Sequence, residues 1–281
     1  MRVAERRYAL GGAANVAQNA AALGARASLV AAVGEDLAGA RLAEMLGALG
    51  CDTSTLVRVA RTTTTKTRII ARAQQLARVD EEEDGDLTGH EADLVVETVA
   101  RAVEQADAVV LEDYNKGVLT PTVIRESVRL ARARGVPVIV DPKYRNFFHY
   151  SGATIFKPNR RELEAALGAA VDLEHPEALP ATLASLGVEH LLLTLGEKGM
   201  ALLSSGGEVL RIPTTAREVY DVVGAGDTVT AYLAAMLAAG ATPAEAAVIA
   251  NYAAGVEVGK LGAVSVSPAE VLEAYDDSVG G

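Results

Sequence analysis

Asp227 follows two glycines that bracket one alanine, in the stretch Asp221-Val222-Val223-Gly224-Ala225-Gly226-Asp227-Thr228. Val229, Leu233, Met236 and Leu237 then recur at helical spacing, and Gly240 stops the pattern. A helix that starts between Gly224 and Asp227 leaves its first amides without intrahelical partners. Glycine lets a bound group approach those amides closely, and the helix dipole favours negative charge there. A carboxylate beside such an anion hole can orient and deprotonate a hydroxyl, while the amides of Gly224, Ala225 and Gly226 stabilise a transferring phosphoryl group. The same residues also describe a plain glycine turn with an Asp in the first helical turn. The octapeptide alone leaves both readings standing.

Other polar residues collect where apolar runs end, which is where open parallel sheets bind ligands. The run at 106–111 ends in Glu112-Asp113-Tyr114-Asn115-Lys116-Gly117, and the run at 136–140 ends in Asp141-Pro142-Lys143. Lys143 is either a phosphate contact or an exposed loop lysine. The run at 153–156 ends in Lys157-Pro158-Asn159-Arg160-Arg161-Glu162. Pro158 cannot continue a strand ladder, and Asn159 with Glu162 has the spacing of a capping box. That accounts for both residues structurally. In the alternative reading both face the cleft, toward phosphate and a hydrated Mg²⁺. The run at 189–195 ends at Thr194-Leu195-Gly196-Glu197-Lys198-Gly199. Near the start, Gly11-Gly12 opens a helix with Asn15 in its first turn and Gly24 as its stop.

Strands that alternate with helices throughout must position these residues. The pattern predicts an α/β fold with a doubly wound, mostly parallel sheet and one site along its carboxyl edge, in a single domain over 1–281. Helices are expected at 38–49, 90–104, 121–134, 176–186, 243–260 and from Ser267 onward, with a flexible end at 276–281. The segment 62–80 is rich in Thr and Arg and alternates, as two antiparallel half-exposed strands would. It suits a flap over the site, where Lys66 and Arg68 either meet a sugar phosphate or solvate a sheet face. Residues 1–10 read as a further short lid strand with Val3, Tyr8 and Leu10 apolar. Half of the 281 residues are hydrophobic, enough for a substantial core. The net charge of -11 argues against nucleic acid and anionic membranes as partners. No run is apolar enough to span a bilayer, and the charged start is not signal-like. The single cysteine, Cys51, excludes an internal disulfide and fits a reducing cytoplasm; it reads as a packing residue.

Taken in order, Gly11-Gly12 with Asn15, Asn159 with Glu162, Thr194 with Gly196 and Gly199, and Gly224-Ala225-Gly226-Asp227 resemble the ribokinase-like (PfkB) sugar kinase family. The resemblance runs from about Arg2 to Glu273 and implies a three-layer α/β/α fold with a small β lid. Within the family, the stretches 11–17, 65–68, 74–80, 112–117, 141–143, 157–159 and 258–262 are most similar to the heptose 7-phosphate kinases of ADP-heptose biosynthesis. The resemblance implies transfer of the ATP γ-phosphoryl group to O1 of D-glycero-D-manno-heptose 7-phosphate. It makes Asp227 the base and Gly224, Ala225 and Gly226 the anion hole. Asn159 and Glu162 would serve phosphate and Mg²⁺, the latter through water. Thr194, Gly196, Gly199 and Asn251 would line the ATP pocket, and Gly11, Gly12, Asn15, Lys66, Arg68, Asp113 and Lys143 the sugar phosphate side. A kinase of the same family for fructose, ribose or a nucleoside, and a non-catalytic binding module, are the rival readings. A homodimer through exposed lid strands is expected.

Two departures from the family pattern carry expectations. Its kinases place a first central strand with a sugar-binding Asp ahead of the glycine pair, whereas Gly11 stands almost at the start here. That predicts a gap in the sheet and one hydroxyl partner fewer, and suggests that coding sequence lies upstream. Bifunctional relatives carry a nucleotidyltransferase domain after the kinase. No His-x-x-His-type motif is present here, so kinase chemistry alone is expected.

Overall fold

The computed structural model describes residues 3–71, 74–175, 179–216, 219–262 and 264–279. Met1, Pro176 and the last two residues, which entered the expectations above, lie outside them. The chain runs α1 (Ala13–Ala22), β1 (Ala31–Val33), α2 (Leu37–Ala48), β2 (Leu56–Arg58), β3 (Thr65–Ala71) and β4 (Gln74–Glu81). It continues with α3 (Gly89–Val103), β5 (Val109–Glu112), α4 (Pro121–Ala133), β6 (Val138–Asp141), β7 (Ile155–Phe156), α5 (Arg160–Leu167), α6 (Leu179–Leu186) and β8 (His190–Thr194). The last elements are β9 (Met200–Ser204), β10 (Val209–Ile212), α7 (Ala225–Ala238), α8 (Pro243–Glu257) and α9 (Pro268–Val279).

Six strands form the main sheet in the order β10-β9-β8-β7-β6-β5. Pairing is parallel from β5 to β8 and antiparallel from β8 to β10. The strand period of two assigns alternate residues to opposite faces. Val138, Val140, Phe156, Leu191 and Leu193 pack under α4, α5 and α6, with Ile124, Leu163 and Leu183 among them. Ile139, Ile155 and Leu192 pack under α7, α8 and α9, with Leu233, Ala250 and Val271. Covering both faces demands the unbroken apolar runs seen in the sequence. The result is the expected three-layer α/β/α arrangement, with the polar strand ends on one edge.

β1 and β2 form a separate parallel pair. Among the described residues no strand hydrogen-bonds that pair to β5, in line with the expected gap. Helix α3 bridges the two sheets by packing, because Val95 shares one cluster with Val57, Val59 and Val123. β3 and β4 pair antiparallel from Thr65↔Glu81 to Ala71↔Gln74, as the alternating texture predicted.

Two expectations need correction. Residues 3–10 form no strand: Val3 and Tyr8 are each 58% exposed, and only Leu10 is buried. Their scattered apolar residues find no ladder partner; instead the Arg41 guanidinium lies 4.1 Å over the Tyr8 ring. At the other end, residues 276–279 are helical. α9 starts at a reciprocal Ser267–Glu270 cap, and its last turns are tied down by the Tyr252–Tyr275 ring contact and the Tyr252–Ser278 hydrogen bond. No helix among the described residues is long and apolar enough to cross a membrane.

Candidate active site

Gly224 precedes α7 with φ 99, a left-handed conformation open to glycine. The chain then turns directly into the helix, and the first four-residue bond runs from Thr228 N to Gly224 O at 2.9 Å. The amides of Gly226 and Asp227 therefore come before the intrahelical ladder. Asp227 sits half-buried in this first turn, and both its oxygens are engaged. Asn15 Nδ2 donates to Oδ2 at 2.7 Å, and the Tyr114 hydroxyl donates to Oδ1 at 2.9 Å. Burial raises the Asp227 pKa above the usual carboxylate value and Asp141 adds to it, against the opposing pull of Asn15, Tyr114 and Lys157. A carboxylate held this way is a stronger base than one in water.

Three elements converge to make this arrangement. Gly12 caps α1 with φ 56, a conformation open to glycine, and the Tyr114 ring lies beside it. Asn15 is 2% exposed, and Asn19 Nδ2 donates to its backbone carbonyl at 2.9 Å and to its Oδ1 at 3.4 Å. Asn19 also accepts from Thr228 Oγ1 at 3.4 Å, so α1 and α7 are joined at two successive turns. Tyr114 comes from the loop after β5, and its neighbour Asp113 is buried within that loop. Asp113 accepts from Asn115 N and from the Tyr150 hydroxyl, each at 2.7 Å. Both carboxylate oxygens of Asp113, expected at the sugar, are thus engaged within the protein.

Behind Gly226 lies a charged row. Lys157 is 3% exposed and donates to Asp141 Oδ2 at 2.7 Å. A Cβ on Gly226 would stand 3.7 Å from Lys157 Nζ and 3.8 Å from Asp141 Oδ2, so this row lies directly behind the first turn of α7. Burial alone would lower the Lys157 pKa, but Asp141 and Glu112 outweigh it and hold the ammonium charged. Glu112 is pushed well up by burial and by Asp141, and its Oε2 has no partner among the described residues. Lys143 continues the row, donating to Glu162 Oε1 at 2.8 Å.

The nucleotide-side candidates divide into two groups. Asn159 and Glu162 form the predicted capping box of α5, and Asn159 is bridged to Thr194 across the strand ends. Gly196 has φ 62 and open space around it. Gly199 and Asn251 are structural instead. A Cβ at Gly199 would collide with the Ile212 carbonyl, and Asn251 is buried, donating to Pro213 O at 2.8 Å. Glu162 spends one oxygen on Lys143 and the other on Asn159 N at 2.9 Å. Among the described residues no three His, Cys, Asp or Glu side chains converge as metal ligands. Both Glu162 oxygens are engaged, so a divalent ion would meet this residue only through water.

On the lid, Lys66 is paired to Asp80 at 3.0 Å and Glu82 at 2.8 Å, and Glu82 reaches Lys116 at 2.7 Å. This chain of charges ties the ribbon to the Tyr114 loop. Arg68 lies opposite Arg78 in the ladder, and Gly11 is exposed beside Gly12. Two site residues escaped sequence reasoning, Tyr114 and Lys157. Both stand at strand ends already marked as polar, and that position was the signal available.

The pfkB family carbohydrate kinase profile matches residues 1–270. The chain is 45% identical over 268 residues to the bifunctional protein HldE of Pelobacter propionicus, covering 94% of this chain and 55% of that protein. It is 43% identical over 277 residues to the HldE of Rhodospirillum rubrum, covering 98% and 56%. The chain thus spans about half the length of the curated relatives it matches. Among solved structures it resembles an Arabidopsis thaliana ribokinase complexed with ribose and ATP, with TM-score 0.74 and 24% identity, covering 93% of this chain and 85% of that one. It also resembles phosphofructokinase-2 from Escherichia coli in complex with substrates and products, with TM-score 0.77 and 19% identity, covering 95% and 87%. At those identities the likeness shows the ribokinase-like fold. The profile match and the curated relatives go further: the chain belongs to the pfkB family of carbohydrate kinases.

Proposed function

We propose that this chain phosphorylates O1 of D-glycero-D-manno-heptose 7-phosphate with ATP, giving the 1,7-bisphosphate for ADP-heptose synthesis in the cytoplasm, with residues 1–281 acting as one kinase domain. The observation that carries the chemistry is Asp227 in the first turn of α7, beside open amides and above buried Lys157. Asp227 Oδ1 takes the proton of the acceptor hydroxyl, whose oxygen attacks the γ-phosphorus. The bond from that phosphorus to the bridging oxygen breaks and ADP leaves. The amides of Gly224 and Gly226, with Lys157, stabilise the charge that develops on the transferring group, whereas the Ala225 amide, also expected there, donates to Val222 O at 3.4 Å. Asn159, Thr194 and Gly196 border the nucleotide. Bound Mg²⁺ would neutralise charge on the ATP phosphates, and Glu162 is the residue that would hold it, through water.

The heptose assignment is supported by the sequence stretches at 11–17, 65–68 and 112–117 and by the similarity to HldE proteins. Lys143, Lys66 and Arg68 favour a phosphorylated acceptor over fructose, ribose or a nucleoside, the second reading. A panel of acceptors with coupled ADP detection tests the assignment. Heptose 7-phosphate is expected to give kcat/KM at least about a hundredfold above fructose, ribose and adenosine, a gap of about 2.7 kcal/mol in transition-state binding. Turnover of fructose with none of heptose 7-phosphate would overturn it.

A further inference from the structure

The two donors on Asp227 differ in setting. Asn15 is buried and fixed within α1. Tyr114 is 40% exposed, and its ring edge lies beside Gly12. The loop beneath it is nevertheless held tightly. Asn115 has φ 53 and is the one non-glycine with positive φ among the described residues, a conformation that costs roughly 1 kcal/mol. Asp113 and Tyr150 hold it there from below, and Asn115 Oδ1 accepts from Arg145 N at 3.4 Å. Gly117 has φ 74 and lies against the Gly85 carbonyl so closely that no Cβ would fit. Backbone constrained on this scale serves the direction of a side chain, and the side chain it directs is Tyr114.

We propose that Tyr114 decides between sugar and water: its hydroxyl occupies the Asp227 lone pair that a nucleophile needs, and only a bound sugar phosphate displaces it. This rests on the kinase reading above. Water at Asp227 Oδ1 would attack the γ-phosphorus of ATP and give its proton to Asp227. The phosphorus–bridging oxygen bond would break, releasing ADP and inorganic phosphate. The tethered phenol is present at high effective concentration beside Oδ1. A sugar phosphate brings many contacts and can afford the exchange. The phenol does not itself become a nucleophile, because burial, and then the Asp227 charge, raise its pKa far above the ordinary tyrosine value.

Tyr114→Phe keeps the ring on Gly12 and removes only the hydroxyl. With ATP and Mg²⁺ and no acceptor, the variant is expected to release ADP at least about tenfold faster than the unaltered protein, equivalent to about 1.4 kcal/mol. With acceptor present, it should form more ADP than sugar bisphosphate, where the unaltered protein forms equal amounts. The added hydrolysis should vanish in Tyr114→Phe/Asp227→Asn. A second readout needs no turnover. The chain has eight tyrosines and no tryptophan, so tyrosine emission is directly visible. Sugar phosphate binding should raise it by freeing Tyr114 from the carboxylate, and that rise should be absent in Tyr114→Phe. Unchanged acceptor-free hydrolysis in Tyr114→Phe, or hydrolysis that survives Asp227→Asn, would overturn the inference. If the unaltered protein phosphorylates no sugar phosphate, the kinase assignment fails instead, and the acceptor-free comparison still decides the role of Tyr114.

Discussion

The contribution of Lys157 is the sharpest residue-scale consequence of the site. Its ammonium is buried, is held charged by Asp141 and Glu112, and stands behind Gly226 where a phosphoryl group would meet the helix. Groups that stabilise charge only as it develops act on kcat more than on substrate binding. Lys157→Met is expected to lower kcat by about a hundredfold to a thousandfold with little change in the KM for ATP. The same change leaves Asp141 with only the longer Lys143 contact at 3.7 Å, beside Glu112, a loss on the order of 3 kcal/mol in stability. The double change Lys157→Met/Asp141→Asn separates the two effects. It should recover much of the melting temperature and none of the rate. If the rate recovers with the stability, Lys157 is a structural ion pair and has no part in transfer.

Elements explain which parts of the site could be read from sequence. The parallel core strands were legible because burial on both faces leaves a short apolar run with polar residues after it, as at Val138–Asp141 and His190–Thr194. The Asn159–Glu162 cap and the glycine turn before α7 were legible because both are local patterns of a few residues. The Tyr114–Asp227 and Asn19–Thr228 bonds were not, since they join residues 113 and 209 positions apart and depend on how α1, α7 and the β5 loop meet. The segment 3–10 failed for the opposite reason: strand-like composition makes no strand without a neighbour to pair with. The β3–β4 ribbon illustrates the same rule from the other side. Its two strands satisfy one another, yet Ile70, Leu76 and Val79 are 62%, 58% and 50% exposed. We propose that a second copy of the chain covers them, because two-stranded ribbons are marginal alone and exposed apolar edges seek partners. Sedimentation should show a dimer that Leu76→Asp converts to monomer. A monomer at micromolar concentration before any substitution would sink the idea.

At the scale of the whole molecule, a buried acid distant in sequence from the site makes stability depend on pH. Glu257 closes α8, is 1% exposed, and neither of its carboxylate oxygens has a partner among the described residues. A helix C-terminus is itself unfavourable to negative charge. Burial, with Asp221 and Asp227 adding to it and Lys260 opposing, pushes the Glu257 pKa up to about 7 from 4.5. The folded chain therefore keeps a proton there that the unfolded chain has lost. Stability from this group falls as pH rises from 4.5 toward 7, and the full cost is present above 7. Glu257→Gln removes the titration while preserving shape. At pH 8 it should stabilise the protein by on the order of 2 kcal/mol, or roughly 4–8 °C in melting temperature. At pH 5, where Glu257 is already protonated in the fold, the two proteins should melt within about 2 °C of each other. A melting difference that is the same at both values would mean that Glu257 ionises as readily in the fold as in the unfolded chain. The carboxylate would then have to be reached by water or paired with Lys260, and the closed packing of α8 against the Asp221 loop would be wrong.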